Sequence, residues 1–199
     1  MSIASKAIAI VLATATLGGC VAPVGPVEVT RFHDAALLDR AGRGTIAVEA
    51  APGMDANALE LRSYQAAVAR QLTTLGYRET GSANSAQVAL VRVERKAFRP
   101  GRDGSPVSVG VGGGTGSYGS GVGMGIGIDL SGPPAEQVTT ELAVQIRDRA
   151  SGKTAWEGRA HFTVKASSPL ADTQLGAAKM AEALFAGFPG NSGETVDVK

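Results

Sequence analysis

Side chains able to do covalent or acid–base chemistry are few in this sequence of 199 residues. It has one cysteine, Cys20, and two histidines, His33 and His161. A nucleophilic site needs a base within hydrogen-bond reach and a further group that orients the base. No Asp or Glu pair stands at metal-ligand spacing with either histidine, and no serine lies in a nucleophile-elbow pattern. We therefore expect no catalytic residue, no metal site and no cofactor, and we expect that the protein is not an enzyme.

The segment before Cys20 has the pattern of an export signal. Lys6 is the only charged side chain among residues 1–19, and residues 7–17 form an uncharged, mostly apolar core. A core of this length fits a signal peptide and is too short to span a bilayer. We expect residues 1–19 to be a signal peptide that is cleaved between Gly19 and Cys20. The alternative is an ordinary secreted protein, in which Cys20 would remain a free thiol in an oxidising compartment.

Residues 17–20, Leu-Gly-Gly-Cys, resemble the lipobox of bacterial lipoproteins. The resemblance implies a lipoprotein in which the thiol of Cys20 receives diacylglycerol and the new terminal amine is acylated, for example with palmitate. Several acyl chains would anchor the protein to a membrane permanently. Val21 stands where lipoproteins of the inner membrane commonly carry Asp, which implies the outer membrane, on its periplasmic side. Residues 20–26 then form a lipidated tether whose prolines oppose regular structure.

Composition and charge exclude several classes of function. The chain is 44% hydrophobic and 19% charged, which is typical of a globular protein rather than a disordered or coiled-coil one. With 19 basic against 18 acidic residues, the net charge of +1 gives no electrostatic reason to bind nucleic acid. We expect the partners to be the membrane, through the lipid anchor, and proteins of the envelope.

Residues 27–199 are predicted to form a single α+β domain. The pattern of apolar residues indicates a mainly antiparallel sheet with two amphipathic helices on one face, plus a glycine-rich β-hairpin. Residues 34–43 are predicted to form a loop or a helical turn. The predicted strands are 27–33, 44–50, 87–96, 137–148 and 153–165, and the predicted helices are about 58–75 and 169–188.

Local sequence signals predict where the helices begin and end and which residues are buried or exposed. Asn57 and Glu60 have the spacing of a capping box, and Ser168 is predicted to cap the last helix. Gly76 is expected to end the first helix, and Trp156 is expected in the core. A run of cations near the end of the third strand is predicted to be solvated, the alternative being a site for an anion or a lipid headgroup; it comprises Arg92, Arg95, Lys96, Arg99 and Arg102.

Ten of the eighteen residues from Gly110 to Gly127 are glycine, and three explanations compete. Residues 114–119 match the phosphate-binding pattern G-x-G-x-x-G, but the residues that follow are poor helix formers, so we expect no nucleotide. Glycines at 119, 123 and 127 keep the spacing of closely packed membrane helices. A glycine at every second position, however, costs a helix about 1 kcal/mol each.

The third explanation is a β-hairpin over about 107–130, because aliphatic residues alternate with glycine or small residues in two arms. Such a hairpin could be a flexible arm over a sheet edge, or a surface that docks another strand or the membrane interface. The candidate partner contacts are Val109, Val111, Tyr118, Val122, Met124, Ile126 and Ile128.

The order of these features resembles the bacterial envelope lipoproteins of the family catalogued as domain of unknown function 4136. The resemblance includes the lipobox, residues 29–33, the helix end at 75–77, both glycine-rich arms, and the ending Phe-Pro-Gly at 188–190. It implies an envelope lipoprotein without an assigned activity, and Cys20 is the only residue to which it assigns a function. Our hypothesis is a non-catalytic structural or partner-binding module; the alternative is a lipid or small-molecule binding protein with a pocket between helices and sheet.

Overall fold

The computed structural model describes residues 25–101 and 134–199, together with the backbone of two strands between them. Nine strands and three α-helices are found in these parts of the chain. In chain order the strands are β1 (Val27–His33), β2 (Thr45–Ala50), β3 (Arg78–Glu79), β4 (Gln87–Phe98), β5 (Val107–Gly116), β6 (Gly119–Ile128), β7 (Gln137–Asp148), β8 (Thr154–Lys165) and β9 (Thr195–Val198). The helices are α1 (Ala35–Ala41), α2 (Leu59–Thr74) and α3 (Thr173–Phe185).

Seven strands form one mixed sheet in the order β3–β2–β4–β7–β8–β1–β9. The β4–β7, β7–β8, β8–β1 and β1–β9 pairs are antiparallel, whereas β2 runs parallel to both β3 and β4. The parallel pairs arise because α2 carries the chain back across the sheet between β2 and β4. The predicted α+β class with a mainly antiparallel sheet is thus confirmed, and the parallel edge is an addition to it.

Alternate residues of the sheet point into one apolar core. A row across four strands shows the phase, since Val93 pairs with Leu142, Leu142 with Ala160, and Ala160 with Val29. These side chains are buried together with the inner residues of α2 and α3. Trp156, Tyr64 and Phe162 are the largest fully buried side chains. The prediction that Trp156 lies in the core is therefore confirmed.

The two ends of α2 show which local signals decide a boundary. At the C-terminal end, Gly76 has φ +95° and the amide of Tyr77 donates to the carbonyl of Leu72 at 3.0 Å, as expected for a glycine stop. At the other end the capping-box prediction was wrong. The N-cap is Ala58, which makes no side-chain hydrogen bond, while Glu60 contacts an arginine of β4 instead.

The last helix begins later than its sequence suggests. Ser168 caps a short 3-10 turn at Pro169–Ala171, and Asp172 then caps α3 by accepting from the amide of Gln174 at 2.9 Å. The predicted single helix of residues 169–188 is thus divided in two and ends at Phe185. Two strands were not predicted, the two-residue β3 and the C-terminal β9.

Arg31 closes the C-terminal end of α3 from within the core. Its guanidinium donates from Nε to the carbonyl of Leu184 and from a terminal nitrogen to the carbonyl of Ala183, both at 2.9 Å. The residue is only 6% exposed. Burial lowers the pKa of Arg31, and the carboxylate of Glu194 opposes that shift. The cation supplies the partner of the Leu184 carbonyl, adds a second donor to the Ala183 carbonyl, which also accepts from the amide of Ala186 at 3.3 Å, and lies at the negative end of the helix dipole.

Candidate functional site

Strands β5 and β6 pair with each other and make no pair with the seven-stranded sheet in the described part of the chain. Their antiparallel register places Val109 opposite Ile126 and Val111 opposite Met124. Glycine lies opposite glycine at four register positions, the pairs 110–125, 112–123, 114–121 and 116–119. The aliphatic and glycine positions therefore alternate in step on both strands.

The glycine-rich pair keeps the register of the β4–β7 pair. Phe98, the last residue of β4, lies opposite Gln137, the first residue of β7. Eight residues (99–106) separate β4 from β5, and eight residues (129–136) separate β6 from β7. Equal connections mean that the chain leaves and re-enters the main sheet at one point. We call this point the neck; there Arg99 and Glu136 form an exposed ion pair at 3.5 Å.

The neck and the start of the domain lie at the same end of the sheet. Glu28, near the start of β1, lies in one row with His161, Glu141 and Glu94. From Glu94, β4 continues for four residues, roughly 13 Å, to the neck. The tether predicted from the sequence would therefore join the domain close to the place where the glycine-rich strands emerge.

The two edges of the main sheet offer little length for a partner strand. β3 has two residues, Arg78 and Glu79, both exposed and charged. β9 has four residues and carries Asp197. Short and charged edge strands discourage pairing with another chain. Residues 107–128, in contrast, contain neither a charged residue nor a proline, and β5 and β6 are ten residues long each.

A crevice lies at the opposite end of the sheet from the neck. It has a volume of about 230 Å³, and its walls include His33, Leu38, Asp39, Arg43, Tyr77 and Phe188. These residues come from the end of β1, from α1 and the loop after it, and from the segments that follow α2 and α3. The crevice thus lies beside α1 at one end of the domain, and Trp156 fills the core behind it.

Aromatic rings and a cation define one wall of this crevice. Tyr77 and Phe188 make an edge-to-face contact with ring centroids 6.4 Å apart. The guanidinium carbon of Arg43 lies 5.9 Å from the centre of the Phe188 ring, within the range of a cation–π contact. Burial raises the pKa of Tyr77, and the charge of Arg43 opposes the shift. Arg43 therefore lies near both rings.

The prediction that Arg95 is solvated was wrong. One terminal nitrogen of Arg95 donates to Glu60 at 2.7 Å and to the hydroxyl of Thr173 at 2.9 Å, and the other donates to the carbonyl of Ala171 at 2.6 Å. Glu60 lies in the first turn of α2 and Thr173 is the first residue of α3, so one guanidinium joins the starts of both helices to β4. Local charge pattern could not predict this contact, because both helices are distant in the sequence.

The residues singled out in the sequence have different positions. Cys20 and Tyr118 lie outside the described residues, and for the other candidate partner contacts only backbone register is described. His161 is exposed on β8, whereas His33 lines the crevice and its buried Nδ1 has no hydrogen-bond partner among the described residues. Within residues 25–101 and 134–199 no three His, Cys, Asp or Glu side chains are grouped as metal ligands. No described helix is long and apolar enough to cross a membrane.

Residues 45–190 match the family described as Domain of unknown function (DUF4136). The chain belongs to this family. The match confirms the resemblance inferred from the lipobox, the helix end and the glycine-rich arms. An uncharacterized protein of Zymomonas mobilis subsp. mobilis is 32% identical to this DUF4136 chain, over 87% of this chain and 80% of its relative.

Two solved structures are similar to this DUF4136 chain at low identity. A PDZ domain protein from Parabacteroides distasonis has a TM-score of 0.48 and 13% identity, over 87% of this chain and 39% of that one. A PelC dodecamer from Paraburkholderia phytofirmans has a TM-score of 0.44 and 16% identity, over 79% of this chain and 96% of that one. This chain therefore spans well under half of the length of the PDZ domain protein.

Proposed function

We propose that the protein is a non-catalytic lipoprotein, anchored by a lipid on Cys20 to the periplasmic side of the outer membrane, that binds an envelope partner through its glycine-rich hairpin. One observation carries the proposal: the start of β1 and the neck lie at the same end of the sheet. A tether of residues 20–26 can reach at most about 25 Å. The hairpin would then leave the domain on the side that faces the membrane.

The chemistry of the hairpin supports a binding role. Two paired strands alone are only marginally stable in water, so contact with a further surface would stabilise β5 and β6. Charge, proline and shortness are the features that usually keep strands from pairing with other chains. Residues 107–128 have neither charge nor proline, whereas the edges of the main sheet are short and charged. This difference favours the hairpin over a sheet edge as the contact surface.

The proposal includes two finer points about the architecture. Residues 107–130 are taken as one β-hairpin, which the continuous register of β4–β7 and β5–β6 supports. The two longer helices are taken to cover a single face of the sheet. The single core that joins α2 and α3 to alternate residues of β1, β4, β7 and β8 supports this arrangement.

The anchor is tested by metabolic labelling with palmitate in cells that express the full chain. Wild-type protein should be labelled and should sediment with the outer membrane, whereas Cys20→Ala should be unlabelled. Ser2→Ala, a substitution within the predicted signal peptide, is the matched control and should be labelled like wild type. Labelling of the Cys20→Ala protein would contradict the proposal.

The binding role is tested by two substitutions at different register positions of the hairpin. Met124 lies opposite Val111 in the aliphatic set, and Ser108 lies opposite Gly127 in the alternate set. Met124→Lys should remove partner crosslinks in intact cells, because it places a charge among the proposed contacts. Ser108→Lys adds the same charge outside that set and should retain them. Equal crosslinking of both variants and wild type would contradict the proposal.

A further inference from the structure

The crevice at the end of the sheet is remote from the hairpin. Its lining residue His33 lies in one row with Trp156, Ile146 and Ala89. The neck at Phe98 lies nine residues further along β4, roughly 30 Å away. A ligand bound in the crevice would therefore not touch the hairpin.

The two charges of the crevice do not neutralise each other. Asp39 and Arg43 are four residues apart, a spacing at which opposite charges pair on a continuous helix. Here the helix stops, because Gly42 leaves the helical conformation with φ +56° after its amide makes the last helical bond, to the carbonyl of Leu38 at 2.9 Å. Arg43 turns instead towards Phe188. Neither Asp39 nor Arg43 forms an ion pair with any residue that the structure describes.

The stem of Arg43 is held where its charge faces the crevice. The Cδ of Arg43 lies 3.4 Å from the position that a Cβ would occupy on Gly76. Gly76 is the residue that ends α2, so the absence of a side chain there leaves room for the arginine stem. Arg43 is thereby placed over the aromatic wall while its guanidinium remains exposed to the opening.

The size of the crevice limits what it can hold. A cavity of 150 Å³ accommodates benzene, and one water takes about 30 Å³ of liquid volume. A volume of about 230 Å³ therefore suits roughly eight or nine heavy atoms. Leu38, Tyr77 and Phe188 offer apolar contact, and Asp39 and Arg43 offer one charge of each sign.

From this combination we propose that the crevice binds a small zwitterion with an apolar body, of the size and charge pattern of a free aliphatic amino acid. The carboxylate of the ligand pairs with Arg43 and its ammonium group pairs with Asp39. The aliphatic body lies against Tyr77 and Phe188. A ligand of this size in an open site binds weakly, with a Kd of about 1 mM.

The test uses the purified full chain in lipid nanodiscs and three probes that share one aliphatic body and differ in which charged groups they carry. Leucine carries both charges, 4-methylpentanoate lacks the ammonium group, and 3-methylbutylamine lacks the carboxylate. NMR shifts of Leu38, Tyr77 and Phe188 should saturate with leucine, and each single-charge probe should bind about fivefold to tenfold more weakly. Deleting residues 107–128 should leave leucine binding unchanged, which separates this site from the hairpin.

Substitution of each charge gives the decisive comparison. Arg43→Gln should weaken leucine binding about fivefold to tenfold and leave 3-methylbutylamine binding unchanged. Asp39→Asn should weaken leucine binding to the same degree and leave 4-methylpentanoate binding unchanged. Both side chains are exposed, so both variants should fold. The proposal is overturned if leucine causes no saturable shift up to about 50 mM, or if both variants bind leucine as wild type does.

Discussion

Replacing Arg31 with methionine should strongly destabilise the domain. The arginine makes two hydrogen bonds of 2.9 Å to the carbonyls of Ala183 and Leu184, and it is 6% exposed. Methionine fills part of the space but donates no hydrogen bond, so the carbonyl of Leu184 is left without a partner at the buried end of α3, and that of Ala183 loses its charged donor and keeps only the amide of Ala186 at 3.3 Å. A buried acceptor without a partner costs about 1–3 kcal/mol. Since methionine avoids the cost of burying a charge, the expected loss is about 2–4 kcal/mol in total.

Thermal and urea unfolding followed by circular dichroism measure this loss directly. For a domain of this size, each kcal/mol lowers Tm by about 2–4 °C, so Arg31→Met should lower Tm by roughly 5–15 °C. Arg159→Met on the neighbouring strand is the matched control. The side chain of Arg159 is 58% exposed, and its only ion pair within the described part of the chain is with Glu157, so its replacement should change stability by less than about 0.5 kcal/mol. If Arg31→Met costs less than about 1 kcal/mol, Arg31 does not stabilise α3 as described.

Three further changes have defined outcomes. Gly158→Ala should lower the free energy of unfolding in urea by about 1–3 kcal/mol, because the new methyl group would meet the indole of Trp156 and lie 2.8 Å from a methyl of Leu184. The control is Gly81→Ala, which lies in open space and should lower that free energy far less. Ser151→Ala should raise the pKa of Asp148 in a carboxyl NMR titration, because the Ser151 amide and hydroxyl hold it low. The stability from this turn is present above about pH 3.9 and lost as pH falls through the folded pKa. Arg43→Gln should raise the already elevated pKa of Tyr77 in an alkaline absorbance titration, and the stability from the buried phenol is lost as pH rises above about 10. An unchanged Tyr77 titration would mean that Arg43 does not lie over this wall.

Elements with a strong period were predictable, because a strand or helix must turn its apolar residues to the core wherever its neighbours lie. The strand predicted at residues 137–148 has those bounds, and the predicted strand at 27–33 buries alternate residues, among them Val27, Val29 and Arg31. Glycine stops were predictable for a similar reason, since the left-handed conformation at Gly76 excludes most other residues. These features depend on chemistry within a few residues.

Contacts between distant segments were not predictable from local pattern. In the sequence, Arg31 and Arg95 look like ordinary cations on strands. In the structure, each guanidinium donates hydrogen bonds at a helix terminus far along the chain. The capping box at Asn57 failed because the N-cap is Ala58, one residue later, and Glu60 pairs with Arg95 of β4. The crevice is lined by residues from separate segments, among them His33, Asp39, Tyr77 and Phe188, so it could be found only from the folded structure.

Photo-crosslinking at two positions in living cells tests the central proposal most directly. A photoreactive amino acid at Val111 lies in the aliphatic set of the hairpin, and one at Ala36 lies exposed on α1 near the crevice end of the sheet. We expect the Val111 probe to form discrete high-mass adducts that require Cys20, and the Ala36 probe to form none of them. Identical adducts from both positions, or Val111 adducts unchanged by Cys20→Ala, would contradict the proposal.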